Sequence, residues 1–221
     1  MLINTHTYFS FNYGTMSPQK LVEDITGKGY SHFAITDINN TSACFELLRE
    51  LPHNPGLRLA FGIDFRNGMQ QQYVGLAQNN QGFMELNLHL THYLHAGKEF
   101  LPRAPYFEHV CIVYPFSKHY FQLKPKEYIG ISAADLNQLP FSPWKDHPHK
   151  LVLLQPVSFR NKYDYNAHRL LRSIEKNCLL SMLPKNEQAL PSEVLMPYHE
   201  LQQLFKGSSN AVVLKNTQEL L

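Results

Sequence analysis

Short runs of β-forming residues alternate with stretches of helical periodicity along the whole chain, and this alternation constrains the fold most. Strands separated by helices pair mainly in parallel, because a parallel pair needs a crossover connection. Apolar runs fall at residues 32–36, 57–63, 73–77, 109–113, 128–131 and 151–154, with a first strand before His6. A helix is expected to start at Ser17-Pro18, a capping residue followed by proline at the first helical position. Leu21, Val22 and Ile25 then share one face, and Gly27 or Gly29 ends it. A second helix carries Phe45, Leu47, Leu48 and Leu51, and others are read at 83–94, 165–176 and 199–205. The pattern predicts an α/β fold with a largely parallel sheet, open or curled into a barrel. In either form, working residues sit in the loops after the strands' carboxyl ends.

Composition agrees with one packed barrel. At 221 residues, 43% hydrophobic and 17% charged, the chain has the core that a disordered chain lacks. Its 20 basic residues against 18 acidic ones leave a net charge of +2, which excludes a strongly basic nucleic-acid arm. DNA binding is therefore expected to be weak or none. No basic residue precedes an apolar stretch at the amino terminus, and the most apolar window, 110–116, is far short of the ~20 residues a membrane helix needs. Three cysteines without a CxxC spacing argue for reduced thiols, and hence for a cytoplasmic protein with no membrane partner.

Chemistry-bearing residues are scattered. His89, His92 and His95 follow helical spacing, but a triplet at i, i+3 and i+6 spans too broad an arc for three ligands to converge. They are read as an exposed polar face. His147 and His149 lie in a proline-rich loop and are read as solvent-facing. Phosphate-binding glycine loops, HExxH and GxSxG motifs are all missing.

The order of segments says more. Thr5-His6-Thr7-Tyr8-Phe9-Ser10, then Gly14 and Ser17, Ala34-Ile35-Thr36-Asp37 and Phe61-Gly62-Ile63-Asp64 together resemble a PHP domain. This is the polymerase and histidinol phosphatase family, a distorted β/α barrel of mostly parallel strands. Tyr73-Val74-Gly75-Leu76-Ala77, the run from Leu151 to Phe159, and His199-Glu200-Leu201 with Asn216-Thr217 resemble one branch of it. That branch is the amino-terminal domain of the bacterial DNA polymerase III alpha subunit. The resemblance implies a barrel over residues 1–190 and a connector over 191–221 leading toward a polymerase palm domain that this sequence does not contain.

The resemblance also implies a degenerate metal site. An active member opens with His-x-His, and Asn4 and His6 stand there. Tyr13 stands where an acidic residue belongs, Ile38 where a histidine does, and Asp64 where a glutamate does. The closing Asp-x-His is Pro156-Val157-Ser158. Isoleucine has no lone pair, and asparagine and serine are weak neutral ligands, so these positions are not expected to cage several ions. No catalytic residue, metal or cofactor is expected in this segment, and magnesium belongs to the polymerase domain. His6 is expected to be hydrogen-bonded to Asp37 or a backbone carbonyl beneath the barrel mouth.

Two readings follow. One is a catalytically inactive scaffold of a replicative DNA polymerase, in contact with the palm and thumb of the same chain and docking a proofreading exonuclease subunit. DNA is then a partner of the intact polymerase, a nucleotidyltransferase. The other is a metal-dependent phosphoesterase or 3′–5′ proofreading exonuclease that recruits His147, His149, Asp64 and His6 as atypical ligands.

Overall fold

A computed structural model describes residues 1–207 and 210–220. Seven strands run β1 Leu2–Thr5, β2 His32–Ile35, β3 Arg58–Asn67, β4 Gln70–Ala77, β5 Val110–Pro115, β6 Glu127–Ile131 and β7 Leu151–Leu153. The helices are α1 Pro18–Gly27, α2 Ala43–Glu50, α3 Asn80–Ala96, α4 Lys162–Glu175, α5 Tyr198–Leu204 and α6 Ala211–Leu220. Single 3₁₀ turns fill much of 133–150.

The helix signals act as their chemistry requires. Ser17 Oγ accepts the Lys20 amide at 3.2 Å, Pro18 opens α1, and Leu21, Val22 and Ile25 are buried. At α3, the Asn79 side chain accepts the Gly82 amide, and Gly97 closes the helix in the left-handed conformation at φ 60°.

The strands form one curled sheet in sequence order, β1 to β7. Pairings β1–β2, β2–β3, β5–β6 and β6–β7 are parallel, whereas β3–β4 and β4–β5 are antiparallel. Here the alternation of strand and helix breaks. β3 runs on past residue 63 and turns directly into β4 through Gly68, at φ 58°, with Asn67 opposite Gln70. The two-residue loop is Gly68-Met69, and glycine at its first central position is the hairpin signal that accounts for it.

The two ends of the curl meet. Beyond β7, Val157 bridges Thr5 in parallel; its carbonyl accepts the His6 amide at 2.9 Å, and its amide donates to the Asn4 carbonyl at 3.0 Å. The structure is thus the distorted β/α barrel anticipated above. Successive strand residues face opposite sides, which separates two apolar layers. Leu2, Phe33, Tyr73, Ile112 and Leu151 join the helices in the larger core. Ile3, Ala34, Val74, Val113 and Val152 pack together inside the curl. Residues 191–220 contribute Leu195, Leu201, Phe205 and Val213 to the larger core. Among the described residues, no helix is long and apolar enough to cross a membrane.

Candidate functional site: a buried polar cluster at the barrel mouth

Asn4 and His6 at the end of β1, and Asp64 and Arg66 on β3, alternate with residues of the larger core and so face the inside of the curl. The Thr5–Val157 bridge carries Ser158 to the same place. A turn in which the Tyr13 and Gly14 amides donate to the Ser10 carbonyl, at 3.0 and 2.9 Å, brings in Tyr13. Glu193 enters beside Ser158 because its carbonyl accepts the Ser158 amide at 2.9 Å.

Six of these side chains, all but Asn4, form one connected network. His6 Nδ1 lies 2.9 Å from Ser158 Oγ, and His6 Nε2 lies 3.1 Å from Asp64 Oδ2. Arg66 donates to the same Asp64 oxygen from Nε at 2.9 Å and approaches it with Nη2 at 2.8 Å. Arg66 Nη1 donates to the Tyr13 hydroxyl at 3.3 Å, which donates to Glu193 Oε2 at 3.0 Å. Ser158 Oγ donates to that carboxylate at 2.7 Å, closing the loop. The carboxylate of Asp64 can only accept, so His6 Nε2 is the donor in that pair.

Burial governs the electrostatics. His6, Asp64 and Ser158 are wholly inaccessible, and Arg66 is only 7% exposed. Burial alone would raise the Asp64 pKa, but the adjacent Arg66 and His6 outweigh it and hold the carboxyl below its ordinary range. Burial would lower the Arg66 pKa, yet Asp64 and Tyr13 keep it above its ordinary value. The phenol of Tyr13 is pushed up, chiefly by burial. Among the described residues, Asp64 Oδ1 has no hydrogen-bond partner, and neither has Gln71 Nε2 nearby on β4.

Ser158, His6 and Asp64 are linked in series, as in a nucleophilic triad, but none is accessible and the serine proton is committed to Glu193. No substrate carbonyl can reach that hydroxyl, so the series has no acyl-transfer chemistry to perform.

The sequence profile of the PHP domain matches residues 3–211. The chain belongs to the PHP family. No curated protein matches it. A solved structure described as a metal-dependent phosphoesterase, from Bifidobacterium adolescentis, is similar at 23% identity with a TM-score of 0.33. That similarity covers 42% of this chain and 31% of the other, so this chain spans about a third of it. An amidohydrolase from Chromobacterium violaceum, solved with sulfate and no metal, is similar at 12% identity and TM-score 0.41, over 92% of this chain and 96% of that one.

PHP enzymes of the hydrolytic kind hold metal ions, so the residues at this PHP domain's mouth can be tested for fit. They do not fit a multi-metal centre. Among the described residues, no group of three or more His, Cys, Asp or Glu could hold an ion. Both nitrogens of His6 are engaged, and a guanidinium sits on the carboxylate of Asp64. Asn4, in the left-handed region at φ 80°, and Pro156 line a cavity of about 240 Å³ above the cluster, with Arg66, Gln71 and Glu193. Ile38 bridges Asp64 through its backbone while its side chain packs against the cluster of Tyr13 and Phe159.

Several expectations are corrected by these contacts. His6 bonds Ser158 and Asp64, not Asp37; Asp37 instead accepts Thr7 N at 2.6 Å, Thr7 Oγ1 at 2.7 Å and Ser10 Oγ at 2.7 Å. Burial raises its pKa, against those three donors. His89 is not on an exposed face. It turns inward among Phe65, Tyr93, Phe100 and Phe107 and lies 2.8 Å from the Tyr73 hydroxyl, while His92 and His95 stay exposed. His147 is half-buried against Tyr120 and Trp144. With His149 it precedes β7, at the amino end of the strand whose other end leads to Ser158. The structure therefore does not bring His147 and His149 to His6 and Asp64.

Arg66, Glu193 and His168 are the members that sequence reasoning missed. Arg66 carried a usable signal, since a residue two positions from Asp64 on a strand shares its face. Glu193 and His168 carried none. His168 accepts the Ala189 amide at Nε2, 3.0 Å, and so donates from Nδ1 to the Tyr13 carbonyl at 2.8 Å. Burial lowers its pKa and keeps it neutral.

Proposed function

We propose that this PHP domain is the amino-terminal domain of a bacterial DNA polymerase III alpha subunit and serves there as a catalytically silent scaffold. The observation that carries the reading is Arg66. A buried guanidinium pairs with Asp64 at 2.8–2.9 Å, supplying the positive charge that a hydrolytic member takes from its ions. A side chain that satisfies the carboxylate permanently stabilises the barrel but activates no water. The branch assignment rests on the order of segments from Thr5 to Thr217. On this reading the partners are the palm and thumb of the same polymerase, with a proofreading exonuclease as a further docking partner. Nucleotide transfer and its magnesium belong to the palm.

The test starts from protein stripped of metal and then equilibrated with zinc or manganese. Elemental analysis is expected to find substoichiometric metal, and neither p-nitrophenyl phosphate nor a DNA 3′ end should be hydrolysed. Two or more tightly held ions per chain, or metal-dependent hydrolysis, would establish the phosphoesterase reading instead. Paired palm-type Asp-x-Asp carboxylates encoded beyond Leu221 are expected in the gene; a reading frame without them refutes the polymerase assignment.

A further inference from the structure

We propose that α4 offers its outer face as a docking seam for an acidic amphipathic helix of another protein. The helix is turned inside out. Its buried residues, Asp164, His168, Arg172 and Ser173, are all polar, whereas Tyr163 is 84% exposed, Ile174 72% and Leu170 about half. Hydrogen bonds rather than apolar packing hold it to the barrel. His168 Nδ1 donates to the Tyr13 carbonyl at 2.8 Å, His168 Nε2 accepts the Ala189 amide at 3.0 Å, and Arg172 Nε donates to the Glu187 carbonyl at 3.0 Å. A surface helix ordinarily buries its apolar stripe and leaves its polar face to water. On α4 the stripe stands in solvent, which marks a contact surface. None of its members belongs to the cluster at the mouth.

The spacing selects a helix as the occupant. Tyr163, Ala167, Leu170 and Ile174 stand at i, i+4, i+7 and i+11, the seam of a helix pair, over ~16 Å. Ala167, also exposed, lets a partner backbone approach closely between the larger side chains. A helix lying in a bilayer surface needs a broader apolar face with its cations opposite, and the opposite face of α4 is spent on the barrel. Charge then selects the kind of helix. Every acid of residues 160–190 is already paired: Asp164 with Arg160, Glu175 with Arg172, and Glu187 with Arg172 and Lys176. Among the described residues, Lys162, Arg169 and Lys185 meet no carboxylate; Arg169 Nε donates instead to the neutral Gln188 amide oxygen at 2.9 Å. At about 100° per residue, Lys162 and Arg169 share one flank of the seam. A second copy of α4 would bring cations against cations, whereas Asp or Glu flanking a partner's apolar seam would pair with them.

The experiment selects, against this chain, from a displayed library of helices with Leu, Ile or Ala at the seam and Asp, Glu, Lys, Arg or Ser varied freely on the flanks. Recovered helices are expected to carry acidic flanks and, as synthetic peptides, to bind less tightly as salt is raised. Leu170→Asp with Ile174→Asp should weaken that binding by about tenfold or more. Lys162→Glu with Arg169→Glu should do the same, and should favour peptides carrying Lys in place of Glu. Both double variants should melt with the parent, since the altered side chains do not pack in the core; Tyr163→Ser repeats the seam test if either unfolds. The proposal is overturned if no helix is recovered, if the recovered flanks are neutral or basic, or if the seam variants bind as the parent does. A parent dimer that Ile174→Asp dissociates would make a second copy the occupant, and seam-dependent binding to phosphatidylserine vesicles would make it a membrane; either result also overturns it. Metal uptake at the mouth would defeat the scaffold reading and leave this seam unaffected.

Discussion

His6→Ala is the most direct probe of whether the buried cluster holds the barrel together. The substitution removes a charge-assisted hydrogen bond to Asp64, worth about 1.5–3 kcal/mol, and one to Ser158, worth about 0.5–1.5 kcal/mol. The ring is wholly buried, so the space it leaves adds a cavity cost of roughly 1 kcal/mol. Arg66 stays on Asp64 and moderates the loss. The expected cost is therefore about 3–4 kcal/mol. Urea denaturation at pH 7, followed by far-ultraviolet circular dichroism and fitted as a two-state transition, measures it. The exposed His92→Ala serves as control and should change stability by less than about 0.5 kcal/mol. A cost for His6→Ala below about 1 kcal/mol would refute the argument, because it would mean that the bonds of this ring contribute nothing net to the folded state.

Three other outcomes follow from the same contacts. The folded-state pKa of His168 is depressed below the ordinary 6.5, so the folded chain binds fewer protons than the unfolded one. Stability should be full above that value and fall as pH drops below it; a urea midpoint flat from pH 7.5 to 5.5 would contradict this. Gly14→Ala would place a Cβ 1.8 Å from the Thr7 carbonyl oxygen, backbone against backbone, and should cost 1–3 kcal/mol or more, roughly, in the same assay. Gly56→Ala meets nothing within 4 Å and should be nearly neutral. Leu21→Ala and Phe33→Ala empty fully buried positions and should each cost about 2–5 kcal/mol, against little for Phe45→Ala, which is 70% exposed.

The barrel was legible because its signals are local. Ser17-Pro18, the face of Leu21, Val22 and Ile25, and the run at 151–154 each declare an element within a few residues. The turn at Gly68 was equally local, but the expectation of a largely parallel sheet passed over it. Of Phe45, Leu47, Leu48 and Leu51, read together on the second helix, only Leu47 is buried; Phe45 and Leu48 are exposed, and Leu51 falls in the turn after the helix ends at Glu50. The cluster was legible only as a list of altered positions. Their partners arise from long-range closure: Ser158 meets His6 across 152 residues and Tyr13 meets Glu193 across 180, and no spacing rule reaches so far. His89 misled for a related reason. Its inward turn is set by the aromatic rings of β3, β4 and the segment after α3, which helical periodicity does not register.

The Thr5–Val157 bridge also sets a timetable for synthesis. A chain emerging amino end first presents β1 and β2 long before Val157 exists. At ~5–20 residues per second, Glu193 follows His6 by roughly ten to forty seconds. Through that interval the edge of β1 that will accept Val157 stays open, a template for pairing with another nascent chain. Closing a span of ~150 residues costs about 4–5 kcal/mol in chain entropy, which only the completed mouth offsets. Asp64 and Arg66 are two residues apart on one strand, so their pair forms without waiting and shields the carboxylate meanwhile. A message truncated between the codons for β7 and Glu193 would therefore release a polypeptide with its charges paired and its seam unsealed, a substrate for chaperones and proteases.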